Sequence, residues 1–311
     1  MESIIKVTQL TKVFKEVIAV KDLSFTVEQG DVYGFLGQNG AGKSTTIRML
    51  LTLIEPTSGD IEIFGYNLKK HRNEILKNTG AVIERPDLYK YLTAYEVLHM
   101  FAKMSGVKVT SKQLMEQLEL VGLAERAHSK VRTYSQGMKQ RLGLAVALVH
   151  NPQLIILDEP TNGLDPQGIA DIRNLILLLT SKMNKTLVVS SHLLNEMEQI
   201  ANRMLIIDKG QKLVEGTVQE LFSPDDTIVY VEAIDNEKCH QVLISSKYQS
   251  VVEGSDESGI QLKLKKDKVP ELAKFLIEQQ VEILGITSHH TLEDYFLKIT
   301  TANQHVEPFK N

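Results

Sequence analysis

The nine residues Gly37–Thr45 read GQNGAGKST and match the phosphate-binding pattern G-x-x-x-x-G-K-[ST] in full. The apolar run Val32–Leu36 before them predicts a short strand, and residues 46–51 after them predict the start of a helix. The backbone N–H groups of a glycine-rich loop and of a helix N-terminus attract anions. This strand–loop–helix order therefore predicts a phosphate site.

Two side chains of this stretch indicate a nucleotide as the ligand. Lys43 is placed to reach the β- and γ-phosphates, and the Ser44 hydroxyl is placed to bind Mg²⁺. A turn that only joined a strand to a helix would not need Lys-Ser at the helix entrance. The motif thus predicts an α/β nucleotide-binding domain.

The composition sets wide limits on the class of protein. The chain has 311 residues, of which 42% are hydrophobic and 24% charged, enough for one large and one small domain. The net charge of -4 gives no general preference for nucleic acid. Cys239 is the single cysteine, residues 1–4 lack a signal-peptide pattern, and no apolar run approaches the ~18 residues of a membrane span. We expect a cytosolic protein that reaches a membrane only through a partner.

The first strands of the chain frame an aromatic side chain. Ile4–Leu10 and Leu23–Val27 predict a small antiparallel sheet, and Phe14 lies between them. Its ring could stack on adenine, although a core or rim phenylalanine is the reading that its chemistry alone favours.

A mainly helical stretch from Ile75 to about Val121 interrupts the α/β alternation. Near its start, residues 80–86 predict a short strand that ends at a proline and leaves Glu84 on a loop. This carboxylate could touch Mg²⁺ or the attacking water. A solvated loop charge is the commoner explanation.

A second helix entrance offers donors to a phosphate. Ser135 is a good N-cap for a helix that runs to Val149, and the backbone N–H of Gly137 lies in its first turn. A well-capped core helix is the alternative. Because one nucleotide does not need two γ-phosphate sites in one chain, the functional reading implies a site shared by two subunits.

Two strand ends carry the remaining chemistry. The apolar strand Leu154–Leu157 ends in Asp158, which could hold Mg²⁺ through water, and Glu159, which could activate the attacking water. His192 follows the strand Thr186–Ser190, where its imidazole could donate to the γ-phosphate. Singly these residues would suit turns and caps, but their order after a phosphate loop favours the catalytic reading.

The rest of the chain predicts a second, smaller domain. A hairpin at residues 206–214 closes the first domain, and a polar linker follows at residues 223–226. Beyond it the pattern is strand–helix–strand–strand–helix–strand with a last helix at 292–299, as in a split βαβ module. The predicted domains are a nucleotide-binding domain at 1–222 with a helical subdomain at about 75–150, an α+β accessory domain at 223–302, and a disordered tail at 303–311.

In chain order these motifs resemble the ATP-binding subunits of ABC transporters over roughly Ile4–Gly216. The resemblance implies the P-loop NTPase fold of an ABC-type domain, a mixed sheet with a helical subdomain, and ATP and Mg²⁺ as cofactors. It implies catalytic roles for Lys43, Glu159 and His192 and metal roles for Ser44 and Asp158. The implied nucleotide-binding residues are Phe14, Gly37, Asn39, Gly40, Ala41, Gly42, Lys43, Ser44, Thr45, Glu84, Ser135, Gly137 and Asp165.

Two features depart from the common family pattern. Residues 134–138 read YSQGM instead of LSGGQ, but they keep Ser135 and Gly137, the contacts expected to the γ-phosphate of the opposing subunit. Glu84 stands where most members carry glutamine. Together with LYKYLT at 88–93 and LEDYF at 292–296, this glutamate resembles the bacitracin-resistance and lantibiotic-immunity branch of drug exporters.

The resemblance implies an ATPase peripheral to the inner face of the cell membrane, bound to an integral-membrane permease and to a second ATP-binding subunit, as a homodimer without nucleic acid. A non-transport ABC ATPase acting on nucleic acid or ribosomes is the alternative. The single nucleotide domain, the lack of coiled-coil heptads and the acidic balance argue against it. An ATP-gated binding module with little turnover is a third reading, against which Glu159 and His192 argue.

Overall fold

A computed structural model gives the fold and describes residues 3–84, 86–221, 227–256 and 259–290. The chain divides into two compact units, Met1–Val218 and Gln219–Asn311. The predicted linker, the predicted last helix and the tail lie outside the described residues. The domain boundaries drawn from the sequence stay predictions.

The first unit alternates strands with helices. Its strands are β1 (Ser3–Phe14), β2 (Val17–Glu28), β3 (Val32–Leu36), β4 (Ser58–Ile63), β5 (Tyr66–Asn67), β6 (Thr79–Val82), β7 (Leu154–Leu157), β8 (Thr186–Ser191), β9 (Arg203–Asp208) and β10 (Gln211–Thr217). Its helices are α1 (Lys43–Leu50), α2 (Arg72–Lys77), α3 (Ala94–Met104), α4 (Ser111–Leu120), α5 (Gln136–Leu148), α6 (Pro166–Ser181) and α7 (Leu194–Ile200), and α8 (Val218–Leu221) follows.

A six-stranded sheet in the order β10-β9-β3-β8-β7-β6 forms the centre of this unit. Its strands run parallel except for β10, which pairs antiparallel with β9. Every residue of β3, β7 and β8 is buried, as expected of apolar strands covered on both faces. Because parallel strands end at the same edge, the segments after β3, β6, β7 and β8 meet there.

The N-terminal strands are longer than the sequence pattern predicts. β1 and β2 form an antiparallel hairpin in a second sheet of order β2-β1-β4-β5, and Phe14 pairs with Val17 at its tip. Register shifts interrupt the pairing, and Gln9 and Asp22 have left-handed φ values of 48° each. These irregularities break the two-residue alternation, which is why the sequence pattern indicates only short strands.

The short strand predicted at residues 80–86, near the start of the mainly helical stretch, is β6 of the central sheet. β6 pairs in parallel with β7, so residues 79–82 extend the sheet inside the range 75–150. The helices of that range that follow β6 are α3, α4 and α5. Capping boxes at Thr93 and Thr110 begin α3 and α4, and Ser135 caps α5 as predicted.

The second unit has the strand and helix order predicted for a split βαβ module. Its elements are β11 (Thr227–Ala233), α9 (Asn236–Ile244), β12 (Val252–Asp256), β13 (Gly259–Lys263), α10 (Val269–Glu278) and β14 (Ile283–His290). The antiparallel sheet has the order β12-β13-β11-β14. Cys239 of α9 and Leu272 of α10 are buried in one core with Val229 and Val231 of β11. Burial raises the pKa of the Cys239 thiol to about 11, so this thiol stays protonated at neutral pH.

Within the described residues, none of the helices combines the length and apolar character needed to cross a membrane.

Candidate nucleotide site

The predicted phosphate loop joins β3 directly to α1. Gly40 and Gly42 have φ values of 85° and 106°, a left-handed backbone that glycine adopts without strain. A Cβ atom on Gly37 would lie 2.4 Å from the carbonyl oxygen of Ile207, so the loop packs too closely on β9 for any other residue. Asn39 is exposed at the loop and Ala41 is buried. The sequence therefore folds here into a compact loop that leads into a helix N-terminus.

Lys43 lies inside this loop. Its side chain is only 4% exposed, and its ammonium donates to the carbonyl oxygens of Gly37 at 2.6 Å and Gln38 at 3.0 Å. The same Nζ lies 3.1 Å from Oε1 of Glu159, in an ion pair without hydrogen-bond geometry. The positive charge of Lys43 is thus held at the loop by residues that follow two strands, β3 and β7.

The acid pair after β7 is anchored by one hydroxyl. Ser190 donates to Oδ1 of Asp158 at 2.6 Å, and the backbone N–H of Glu159 donates to the Ser190 oxygen at 2.9 Å. Asp158 is 1% exposed, and its other oxygen, Oδ2, is buried without a hydrogen-bond partner among the described residues.

A buried carboxylate oxygen without a partner is costly and suits a cation. Mg²⁺ prefers oxygen ligands and takes one or two carboxylates in nucleotide sites. The half-buried Ser44, in the first turn of α1, supplies a hydroxyl of the same donor type. The donor set of Asp158 and Ser44 therefore fits Mg²⁺.

The three predicted catalytic side chains form one connected chain. Oε2 of Glu159 lies 2.8 Å from Nδ1 of His192, while Oε1 faces Lys43. An ionised carboxylate only accepts hydrogen bonds, so Nδ1 of His192 is the donor in this contact when Glu159 is ionised. Glu159 also has a left-handed φ of 48°, so its neighbours hold it in a strained backbone conformation.

Glu84 is exposed but paired. It follows β6 with a φ of 54°, and its carboxylate makes an ion pair with the guanidinium of Arg48 on α1. The side chain of Glu84 is 63% exposed and that of Arg48 is 41% exposed. Glu84 is thus neither a purely solvated charge nor buried in the cluster around Glu159.

Phe14 occupies the tip of the β1–β2 hairpin. The residue is 44% exposed, and Nζ of Lys12 lies 4.8 Å from the ring centroid. The backbone of Ala19 in β2 packs so closely on Gly42 that a Cβ there would lie 2.7 Å from the Ala19 oxygen. The hairpin therefore runs beside the phosphate loop, and Phe14 is a rim residue with a ring available for stacking.

Ser135, Gly137 and Asp165 lie at the starts of two helices, α5 and α6. Ser135 is exposed and accepts from the backbone N–H of Met138 at 3.2 Å, and Asp165 caps α6 by accepting from Gly168 at 3.1 Å. A Cβ atom on Gly137 would lie 3.9 Å from a side-chain carbon of Leu164. Among the described residues, no hydrogen bond or ion pair joins these caps to Lys43, Glu159 or His192. The bonded network of Lys43, Glu159 and His192 therefore does not include Ser135 or Asp165.

Two contributors were missed by the sequence interpretation. Ser190 lies level with Asp158 because β7 and β8 pair Leu157 with Val189, a register that the sequence does not reveal. Arg48 carries the charge opposite Glu84, and its place on the helix after the loop was the only available signal.

The known proteins that are similar to this chain belong to one family. The ABC transporter family matches residues 20–162. The bacitracin transport ATP-binding protein BcrA of Bacillus licheniformis is 43% identical over 302 residues, which cover 96% of this chain and 98% of the relative. The uncharacterized ABC transporter ATP-binding protein YhcH of Bacillus subtilis (strain 168) is 41% identical over 303 residues, covering 96% and 97%.

A solved structure shows the same fold. The dimeric structure of a post-hydrolysis state of the ATP-binding cassette MJ0796, bound to ADP and Pi, is 26% identical with a TM-score of 0.62, and the match covers 69% of this chain and 98% of that chain. The α/β fold expected from the resemblance is confirmed. Both curated relatives are described as transporter ATP-binding proteins, so the nucleic-acid alternative is not favoured. This chain belongs to the ABC transporter ATP-binding proteins, a family of ATPases.

Proposed function

We propose that this chain is the ATP-hydrolysing subunit of an exporter that moves a peptide antibiotic or another drug through a separate permease. The connected contacts of Lys43, Glu159 and His192 carry the ATPase part of the proposal. The 43% identity to a bacitracin transport ATP-binding protein supports the substrate class.

The residues of the site have separate roles in ATP hydrolysis. The N–H groups of the loop 37–45 and the Lys43 ammonium bind the phosphates, and Phe14 stacks on the adenine. Ser44 and Asp158 hold Mg²⁺, which neutralises charge on the phosphates when it is bound. Glu159 orients the attacking water and accepts its proton, and His192 holds the Glu159 carboxylate in place.

Two copies of the chain complete each site. Ser135 and Gly137 of one subunit bind the γ-phosphate held by the other, and Asp165 lies at the same interface. The exposed position of Ser135 supports this arrangement, as does the dimeric MJ0796 structure. The homodimer binds the permease from the inner face of the membrane, and the α+β unit is an accessory domain.

Drug susceptibility of cells tests the proposal. The chain is co-expressed with its permease, as wild type or Glu159→Gln, and growth is measured in bacitracin and in several lantibiotics. We expect wild type to protect against at least one of these compounds and the variant to give no protection. Equal protection by both proteins would overturn ATP-driven export, and absence of protection with intact ATPase activity would overturn the antibiotic assignment.

A further inference from the structure

Glu84 and Glu159 occupy matching positions at the ends of neighbouring strands. Val82 of β6 pairs with Leu157 of β7, and the N–H of Asp158 donates to the Val82 carbonyl at 2.9 Å. Each glutamate lies two residues beyond its paired position, with a left-handed φ of 54° or 48°. Because adjacent strands are about 4.8 Å apart, the two residues leave the sheet edge side by side.

Each of these glutamates faces its own cation on α1. The ammonium of Lys43, at the start of the helix, lies beside Glu159, and the guanidinium of Arg48, near its end, pairs with Glu84. The two pairs differ in burial. Lys43 is almost fully buried, whereas the exposed Arg48–Glu84 pair adds little to stability. A role in folding therefore does not explain the second pair.

We propose, on the basis of the function proposed above, that Arg48 is the counter-ion that lets a glutamate occupy position 84 beside a polyphosphate. A carboxylate on the strand next to Glu159 would lie less than the Debye length, about 10 Å at 0.1 M salt, from a nucleotide bound beside Glu159. Without a partner, it would repel the negative charges of that nucleotide. The guanidinium cancels this charge. Arg48 is thus a positioning residue that acts through Glu84.

The affinity for ATP in EDTA tests this pair without metal and without turnover. The dissociation constant is measured at low ionic strength for wild type, Arg48→Gln, Glu84→Gln and the double variant. Removing Arg48 leaves a negative charge, so we expect ATP to bind about threefold more weakly or worse. Removing Glu84 leaves a positive charge and tightens binding by a similar factor. The double variant returns close to wild type, and added salt reduces the differences.

Matched variants separate the possible outcomes. Arg48→Lys keeps the charge and binds ATP like wild type. Lys112→Gln and Glu116→Gln remove the partners of an exposed pair on α4, 3.8 Å apart, and leave the affinity unchanged.

A double variant as weak as Arg48→Gln would show that Arg48 binds phosphate directly and would overturn the proposal. Single variants that change the melting temperature but not the affinity would overturn it in favour of a structural role. A wild-type chain that binds no ATP would instead overturn the proposed function, and this inference with it.

Discussion

Glu159 is held by residues that are far apart in the chain. Its backbone N–H binds Ser190, and its carboxylate lies between Lys43 and His192. These contacts offset the cost of its left-handed φ, which is about 1–2 kcal/mol for a residue with a side chain. A carboxylate that is fixed before the nucleotide binds needs no reorganisation during the reaction. The strain at Glu159 therefore fits a catalytic role.

Replacement of Gly37 by alanine tests the packing of the phosphate loop. The added Cβ would meet the Ile207 oxygen at 2.4 Å, so we expect a loss of roughly 3 kcal/mol in the free energy of unfolding and loss of ATP binding. Gly40→Ala is the matched control, because a Cβ there has no neighbour within 4 Å. That variant should lose only about 1 kcal/mol, from its φ of 85°. Equal losses in urea unfolding would contradict the packing argument.

The sequence revealed those site residues whose signal is local. Lys43 and Ser44 follow from the spacing of the loop, and Asp158 and Glu159 follow from an apolar strand that ends in acids. Ser190 and Arg48 could not be found in this way. Their contacts depend on which strands are neighbours and on the place of α1 beside the segment after β6.

At the scale of elements, periodicity identified strands and helices better than it identified their ends. The fully buried β3, β7 and β8 were predicted closely because burial on both faces leaves mainly apolar runs in the sequence. β1 and β2 were predicted too short because register shifts break their alternation. The strand predicted at residues 80–86 is β6, which has only four residues and ends at Val82, so its end was predicted too late.

The contact between the end of α5 and the start of β6 should make stability depend on pH. His150 lies 3.2 Å from the Thr79 carbonyl through Nε2, and burial lowers the pKa of its imidazole below the usual value of about 6.5. As the pH falls through 6.5, the unfolded chain binds a proton before the folded chain does. The neutral histidine therefore stabilises the fold above that pH, and this contribution is lost under more acidic conditions.

Replacement of this histidine should weaken the pH dependence. We expect His150→Gln, which can still donate to the Thr79 carbonyl, to lose less stability than wild type between pH 7 and pH 5. Urea unfolding at both pH values measures the difference. The exposed His128→Gln is the control and should behave like wild type. A His150→Gln variant that loses as much stability as wild type on acidification would contradict the argument.

At the scale of the whole molecule, sites shared between two copies should allow complementation. Lys43→Ala removes the phosphate contact of one subunit, and Ser135→Arg blocks the contribution of the other. Each variant alone should hydrolyse ATP at a negligible rate. In an equal mixture, half of the dimers would contain one intact site of two, so we expect about a quarter of the wild-type activity. A mixture as inactive as either variant, although heterodimers form, would contradict shared sites.

In the second unit, the order of strands and helices could be predicted from the sequence. The βαββαβ order was predicted from alternation and turn residues, and the described strands and helices have that order. The pairing of β11 with both β13 and β14 joins segments that are distant in the chain, so local alternation alone does not reveal it. The predicted helix at 292–299 lies outside the described residues.

The rate of ATP hydrolysis by Glu159→Gln tests the central claim most directly. The amide keeps the shape of the side chain but cannot accept the proton of the attacking water, so we expect turnover to fall about a hundredfold or more. ATP binding should persist, because the loop and Lys43 are unchanged. Normal turnover by a well-folded Glu159→Gln variant would contradict the assignment of Glu159 as the base and the hydrolytic mechanism built on it.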